Sequence, residues 1–180
     1  MNLIHEAIIF ATLKHNEAKE SNRKGTKIPY ITHPMEVMQI LTANDYSEKA
    51  IIAGILHDTL EDTLTKPDEI SEKFGQDILE IVKTESEDKS KTWEERKQAT
   101  IDHLKTASLE TKLVCCADKL ANIRSMASDI DAVGDQLWER FNAPKERIQW
   151  YYIGVSSALT GLENYPMYKE LNALINDVFK

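Results

Sequence analysis

The chain has 180 residues, of which 42% are apolar and 29% are charged, as in an ordinary soluble globular protein. Its formal net charge of -8 argues against a nucleic-acid-binding protein. No apolar run approaches the roughly 18 residues of a membrane span. The N-terminus lacks a basic segment and a cleavage site, and the cysteines, Cys115 and Cys116, are adjacent. We therefore expect one cytoplasmic domain over residues 1–180, with reduced thiols and no nucleic-acid or membrane partner.

Apolar residues recur at helical spacing through the first third of the chain. The first apolar stripe predicts a helix over residues 2–20, followed by a loop. Pro34 suits the first turn of a second helix. Ser47 can cap a third helix, which is apolar on most sides and runs on into His57 and Asp58. We expect this third helix at the centre of the fold.

The remainder of the chain continues the helical pattern. A short helix is predicted to begin at Pro67 and to end at Gly75. The later helices are predicted over residues 76–86, 93–106, 109–125, about 144–162, and from 166 onward. A loop is expected near residues 129–134. Because no segment alternates in the manner of a strand, we predict a compact all-α fold of about ten helices.

Four titratable side chains gather where the third helix ends. They are His57, Asp58, Glu61 and Asp62. A spacing of four places His57 with Glu61, and Asp58 with Asp62, on the same face of a continuous helix. Burying such groups without partners is costly, so a metal ion or a tight polar network must satisfy them. The resulting hypothesis is a metal-dependent hydrolase centred on this segment.

Two further residues extend this cluster to a candidate metal site. His33 precedes Pro34 at a loop-to-helix junction, and Asp118 interrupts an apolar helix. A histidine at a helix start is often structural, whereas a carboxylate in an apolar helix needs a partner. With His57 and Asp58 they form a set of two imidazoles and two carboxylates, which balances a 2+ charge. Mixed nitrogen and oxygen ligands favour Mn²⁺, Fe²⁺ or a similar ion, and open coordination positions are typical of a catalytic site.

The residues around these ligands resemble one known family. The order His…His-Asp…Asp is similar to that of the HD phosphohydrolase superfamily. The flanking residues resemble the hydrolase domain of the bifunctional RelA/SpoT alarmone enzymes, and above all the small alarmone hydrolases, which include the metazoan Mesh1 proteins. The likeness extends from Ala7 through the helix that contains Tyr151. The segments that carry it are residues 23–34, 56–63, 86–89, 95–97 and 117–122.

The resemblance implies an all-α HD-domain fold and a manganese-dependent enzyme. The implied reaction removes the 3′-pyrophosphate of ppGpp or pppGpp and gives GDP or GTP plus pyrophosphate. The implied ligands of one Mn²⁺ ion are His33, His57, Asp58 and Asp118. The implied catalytic pair is Glu61 and Asp62. The implied substrate contacts are Arg23, Lys24, Asn122, Arg147 and Tyr151.

Several alternatives stay open at the level of the sequence. The same ligands and acidic pair would serve another nucleotide, such as (p)ppApp or NADPH. A non-catalytic nucleotide sensor is a second alternative, although it has no need of an acidic pair. Arg23 and Lys24 lie in a basic stretch that also suits a solvated loop, and Tyr151 suits core packing equally well. The sequence does not assign which carboxylate is the general acid and which is the general base. It also does not give the nucleobase preference, the oligomeric state or the regulation.

Overall fold

The computed structural model describes residues 2–19, 21–43 and 46–180. Within these residues the predicted all-α class is confirmed. The β-type pairing among them is one isolated antiparallel bridge between Asn22 and Pro29. No helix in the described part of the chain combines the length and the apolar character needed to cross a membrane. The ten α-helical segments, of which α4 is a single turn, are α1 (Leu3–Glu17), α2 (Thr32–Thr42), α3 (Glu48–Leu56), α4 (Thr59–Asp62), α5 (Pro67–Phe74), α6 (Gln76–Thr84), α7 (Trp93–Leu104), α8 (Leu109–Val133), α9 (Lys145–Ala158) and α10 (Pro166–Val178). A 3-10 helix, Gly134–Arg140, joins α8 to α9.

Helix ends agree with the sequence where a capping residue is present. The Ser47 hydroxyl accepts a hydrogen bond from the backbone N–H of Ala50 at 3.2 Å, as predicted for the start of α3. Helix α5 begins at Pro67 and ends before Gly75, whose φ of 97° is the left-handed conformation that favours glycine.

Three predicted boundaries differ from the structure. Helix α9, predicted to reach about residue 162, ends at Ala158. Helix α1 ends at Glu17 because little of its apolar stripe continues beyond His15; the predicted end, Glu20, lies outside the described residues. Helix α8 runs on to Val133, through the segment predicted as a loop. Met126 is buried, and Ile130 and Val133 pack against the core, so the apolar stripe continues for two more turns.

Helix α8 lies at the centre of the fold and packs against α2, α3 and α10. Every residue from Ala50 to Leu56 of α3 is buried, in agreement with its predicted central position. Gly54 allows α2 and α3 to approach closely, because a Cβ atom there would lie 2.6 Å from Leu41 Cδ1. This approach brings the start of α2 to the end of α3.

Helix α3 does not continue through His57 and Asp58, which form a turn between α3 and α4. The sequence prediction of an uninterrupted helix was therefore wrong here. His57 Nδ1 lies 2.8 Å from the Gly54 carbonyl oxygen, and the Thr59 hydroxyl donates to the Leu56 carbonyl oxygen at 2.7 Å. These side chains take the acceptors that a continuing helix would use. The Asp62 N–H still bonds the Asp58 carbonyl at 2.9 Å, so these two residues remain one turn apart.

Candidate metal centre and active site

The predicted metal ligands come from three elements. His33 lies in the first turn of α2, His57 and Asp58 form the turn after α3, and Asp118 lies within α8. His33, His57 and Asp118 are buried, whereas the Asp58 side chain is 17% exposed. The site therefore lies at the edge of the core, with one side open.

Four polar atoms converge at this point. His33 Nε2 and His57 Nε2 are 3.2 Å apart. Asp58 Oδ2 lies 3.0 Å from His57 Nε2 and 3.6 Å from His33 Nε2. Asp118 Oδ1 lies 3.0 Å from His33 Nε2 and 3.6 Å from His57 Nε2. The structure thus brings together all four residues that the sequence suggested as ligands.

The hydrogen-bonding partner of His57 indicates what its ring offers to the cluster. A carbonyl oxygen only accepts hydrogen bonds, so the contact with Gly54 assigns the ring hydrogen of a neutral imidazole to Nδ1. His57 Nε2 then presents a lone pair to the carboxylate oxygens of Asp58 and Asp118. Positive charge must therefore lie among these atoms. It is either a proton on His57, whose pKa burial lowers but Asp58 and Asp118 raise well above its usual value, or a metal ion that takes the place of that proton.

The spacing of the cluster suits a divalent metal ion as that positive charge. First-row divalent ions bind imidazole nitrogen and carboxylate oxygen at about 2.0–2.2 Å, which puts neighbouring ligands about 3–3.6 Å apart. The nitrogen–nitrogen and nitrogen–oxygen separations run from 3.0 to 3.6 Å. His33, His57 and Asp58 each offer a ligand atom within 4.8 Å of the other two. The residues present therefore fit a divalent ion.

Opposite charges dominate the electrostatics of these ligands. Burial acts to raise the pKa of Asp58 and Asp118, but facing groups outweigh it and hold both below their usual range. The main opposing group is His57 for Asp58 and Lys119 for Asp118. Both carboxylates are therefore ionised at neutral pH, as metal binding requires.

Each carboxylate is also held by a neighbouring side chain. The Tyr30 hydroxyl donates to Asp58 Oδ2 at 2.6 Å. The Asn122 amide donates to Asp118 Oδ1 at 2.7 Å, and the Lys119 ammonium pairs with Asp118 Oδ2. Such contacts orient ligands, and losing one typically costs about 10- to 100-fold in metal affinity or activity.

The acidic pair predicted as catalytic borders the same cluster. Glu61 and Asp62 line a cavity of about 180 Å³ together with three of the candidate ligands, His33, Asp58 and Asp118. Burial is the main cause that raises the pKa of both carboxyls, and nearby Asp62 adds to it for Glu61, as Asp58 does for Asp62. Each of these acids consequently keeps its proton to higher pH than a solvated carboxyl.

Residues after α6 close this cavity, which we call the metal cavity. The Lys89 ammonium donates to the Glu61 carbonyl oxygen at 2.9 Å, and the Glu87 N–H lies 3.4 Å from Glu61 Oε2. The Glu87 carboxylate is paired with Arg96 at 3.0 Å and with Lys97. These ion pairs fix the loop against α7 and thereby fix the backbone contact to Glu61.

Two further cavities meet the metal cavity at Asn122. The arginine cavity, of about 200 Å³, has Arg23, Arg140 and Phe141 in its lining. The lysine cavity, of about 290 Å³, is lined by residues that include Lys97 and Lys119. Together they extend the metal cavity into a branched, positively charged recess.

The geometry matches what comparison with known proteins finds. A family model described as HD domain matches residues 7–146, which is more than half of the chain. The chain belongs to the HD domain family. The matched residues include the His57-Asp58 pair in the turn after α3.

Three similar proteins align with this HD-domain protein over most of their own length. The guanosine-3′,5′-bis(diphosphate) 3′-pyrophosphohydrolase MESH1 of Xenopus tropicalis is 36% identical over 89% of this chain and 84% of the relative. The solved structure of a metazoan ortholog of SpoT that hydrolyzes ppGpp has a TM-score of 0.80 and 26% identity, covering 98% of this chain and 96% of that chain. The protein lmo0812 of Listeria monocytogenes EGD-e has a TM-score of 0.76 and 32% identity, covering 82% of this chain and 98% of that chain.

The residues suggested as substrate contacts divide into two groups in this HD-domain protein. Arg23 donates to Asn122 Oδ1 at 3.1 Å, and Lys24 lines both charged cavities. Tyr151 is buried beneath the ammonium groups of the lysine cavity. Arg147 differs from the others, because its guanidinium pairs with Glu94 on the outer side of α7 and does not line any of the three cavities.

Sequence reasoning assigned no role to several residues that the HD-domain fold brings to the site. Tyr30 and Lys119 stand inside the segments that carried the resemblance, so their contacts with ligands had a visible signal. Glu85 had none: it follows α6 in a polar stretch, yet it lines the metal cavity, and burial raises its pKa to about 7. Glu87 stands in the segment 86–89, which also carried the resemblance, but its ion pairs depend on the position of α7.

Proposed function

We propose that this HD-domain protein is a guanosine-3′,5′-bis(diphosphate) 3′-pyrophosphohydrolase that uses one Mn²⁺ ion. Residues 1–180 act as one HD-type phosphohydrolase domain in the cytoplasm, on a small nucleotide and without a nucleic-acid or membrane partner. The observation that carries the proposal is the acidic pair of raised pKa beside a cluster of two imidazoles and two carboxylates. The relatives named for the same reaction support it.

The charge of the metal cavity bears on the substrate. Its lining carries the carboxyl groups of Asp58, Glu61, Asp62, Glu85, Glu87 and Asp118. A pyrophosphate group would be repelled from so many ionised acids. A divalent ion and protonation of the acids with raised pKa both reduce this repulsion. An anionic substrate therefore fits the cavity when both conditions hold.

We assign the ion to His33, His57, Asp58 and Asp118 in this proposal. Mn²⁺ suits the set because it accepts mixed imidazole and carboxylate ligands and leaves coordination positions open. When bound, such an ion lowers the pKa of a water molecule and polarises a phosphoryl oxygen.

Glu61 and Asp62 act as the general acid and the general base of the reaction. Hydrolysis adds the hydroxide part of water to the phosphorus next to the ribose and breaks the bond from that phosphorus to O3′, which takes a proton. A carboxyl that keeps its proton to higher pH than a solvated one is suited to donate it to O3′, and its ionised neighbour can accept the proton of the water. The raised pKa of both acids suits one of them to each role.

The arginine cavity and the lysine cavity would bind the remainder of the nucleotide. Lys24, Lys97 and Lys119 suit the 5′-diphosphate as point charges, and the ring of Tyr151 forms the floor beneath Lys97 and Lys119. Lys97 and Lys119 are already paired with Glu87 and Asp118, which fixes where their charges stand. Arg23, in the arginine cavity, suits a planar base, because a guanidinium stacks on aromatic rings. Asn122 lies between these cavities and the metal cavity and suits the ribose. Because Arg147 is engaged with Glu94, its role requires that this exposed ion pair opens.

A substrate panel tests the proposal. Protein treated with a chelator and reloaded with Mn²⁺ is incubated separately with ppGpp, ppApp, NADPH and deoxynucleoside triphosphates. Products are separated by anion-exchange chromatography, and pyrophosphate is assayed apart from orthophosphate. We expect GDP and pyrophosphate from ppGpp, and no product when Mn²⁺ is omitted.

Other outcomes would redirect the assignment. Faster turnover of ppApp would move the base preference to adenine, and release of orthophosphate from NADPH alone would replace the substrate class. Tight binding of ppGpp without turnover of any compound would indicate a nucleotide sensor and would contradict the proposed enzyme.

A further inference from the structure

Tyr30 connects the proposed metal ligands to the acidic pair. Its hydroxyl donates to Asp58 Oδ2 at 2.6 Å, the oxygen that faces both imidazoles. Tyr30 also lines the metal cavity, which Asp62 borders too. The phenol therefore lies at the boundary between the proposed ligands and the acidic pair.

His15 packs behind Tyr30 from the last turn of α1. Its ring stacks on the Tyr30 ring, with centroids 4.8 Å apart and planes inclined by 29°. The side chain is 2% exposed, and neither ring nitrogen has a hydrogen-bond partner among the described residues. Burial lowers the pKa of His15, so the ring is neutral at physiological pH.

Packing alone does not explain a histidine at this position. A leucine would fill the space without removing two ring nitrogens from water, but it has no planar ring to stack on Tyr30. The imidazole ring instead stacks on the face of the Tyr30 ring. Tyr30 in turn meets the His33 ring edge-on at 6.0 Å. His15 thus stands at the end of a line of rings that leads to the metal cluster.

We propose that His15 is a positioning residue for the metal centre, which holds the ring of Tyr30 so that its hydroxyl fixes the ligating oxygen of Asp58. Asp58 needs such a contact because it stands in a turn and not inside a helix. A hydroxyl on Oδ2 occupies one lone pair and leaves another directed at the imidazoles. The inference rests on the metal site of the proposed function and does not depend on the nucleotide.

Mn²⁺ affinity measured without substrate tests this inference. Chelator-treated full-length protein is titrated with Mn²⁺, and free Mn²⁺ is read by electron paramagnetic resonance. The variants are Tyr30→Phe, His15→Ala, His15→Phe and the double variant Tyr30→Phe/His15→Ala. His5→Ala is the matched control, since His5 is an exposed histidine of the same helix.

We expect Tyr30→Phe to weaken Mn²⁺ binding by about 10- to 100-fold, the usual effect of losing a contact that orients a ligand. His15→Ala should weaken binding, His15→Phe should keep most of it by preserving the stacked ring, and His5→Ala should not change it. Because His15 acts through Tyr30, His15→Ala should add little once Tyr30 is Phe.

Three results would overturn the inference: wild-type affinity in Tyr30→Phe, effects of the two single changes that add in full, or equal losses in His15→Phe and His15→Ala. Circular dichroism checks the fold of each variant, and if His15→Ala is unfolded, His15→Leu replaces it against His15→Phe. Absence of Mn²⁺ binding in the wild type would instead remove the proposed metal site. If the variants change Mn²⁺ affinity as expected but the wild-type protein does not turn over ppGpp, only the proposed activity is contradicted.

Discussion

The proposed metal ligands come from two regions that are built in opposite ways. His57 and Asp58 stand in a turn where α3 stops, whereas Asp118 stands inside the 25-residue helix α8. Neighbouring residues in a helix point about 100° apart, and His57 and Asp58 keep right-handed helical dihedrals in the turn, so their side chains converge on one point from different directions. An unbroken helix instead supplies a ligand and its partner four residues apart, as Asp118 and Asn122 do.

The two regions also differ in charge. Around the turn, burial and neighbouring acids raise the pKa of Glu61 and Asp62. On α8, Lys119 lies beside Asp118 and contributes most to holding its pKa low against burial. The turn region therefore holds acids that can keep a proton, while the helix region holds a carboxylate with permanent charge. The variants below test this contrast, from the largest expected effect to the smallest.

Asp118→Ala removes the ligand on the helix side. We expect Mn²⁺ affinity to fall by more than about 100-fold, beyond the effect of losing an orienting contact, and turnover to be abolished. Titration calorimetry with Mn²⁺ and the ppGpp assay measure the two effects. Asp131→Ala, an exposed aspartate of the same helix, is the control and should match the wild type. Retained Mn²⁺ binding in Asp118→Ala would contradict the ligand set.

Glu61→Gln changes the acid side of the turn without touching a proposed ligand. We expect the turnover number to fall by about 10²- to 10⁴-fold, the range for loss of a general acid or base, with Mn²⁺ affinity nearly unchanged. The same two assays separate these effects. Glu72→Gln, an exposed change on α5, serves as the control. A parallel loss of metal and rate would show that Glu61 belongs to the metal site and not to the acid pair.

The sequence predicted the ligand residues because each one breaks a local pattern. His57 and Asp58 end an apolar run, Asp118 interrupts another, and His33 precedes a proline at a helix start. These residues come together when the helices pack around a central α8. The all-α class was predicted from the helical periodicity of the apolar residues. These features are local in sequence, so a single chain reveals them.

Other features depend on contacts between distant residues and gave no local signal. The break after Leu56 arises from competition of His57 and Thr59 side chains for backbone carbonyls, which periodicity does not detect. Glu85 becomes a residue of the metal cavity only because the chain after α6 folds towards α8. Arg147 resembled a site residue in sequence, but the packing of α9 on α7 pairs it with Glu94.

Glu85→Gln tests the electrostatics between the regions. Burial raises the pKa of Glu85 from 4.5 to about 7 in the folded protein. Between these values the folded state binds more protons than the unfolded state, so stability falls as pH rises. In Glu85→Gln this decline should disappear, and at pH 8 the variant should be more stable than the wild type by on the order of 2 kcal/mol.

Urea unfolding of chelator-treated protein at pH 4.5 and pH 8 measures this difference. Glu72→Gln again serves as the control, because an exposed glutamate should change stability little at either pH. Equal stabilities of Glu85→Gln and wild type at both pH values would mean that Glu85 is solvated in the folded protein.

Thr59→Val tests the break that distinguishes the turn from the helix. The change keeps the shape of a fully buried side chain but removes the hydroxyl that donates to the Leu56 carbonyl. We expect a loss of about 1 kcal/mol in unfolding free energy and weaker Mn²⁺ binding, because the freed carbonyl favours continuation of α3. Thr106→Val removes a similar hydroxyl contact at an exposed position and should leave both quantities unchanged. Unaltered Mn²⁺ binding in Thr59→Val would show that the turn forms without this hydrogen bond, and that the other side-chain contact, from His57 to Gly54, is sufficient to end the helix.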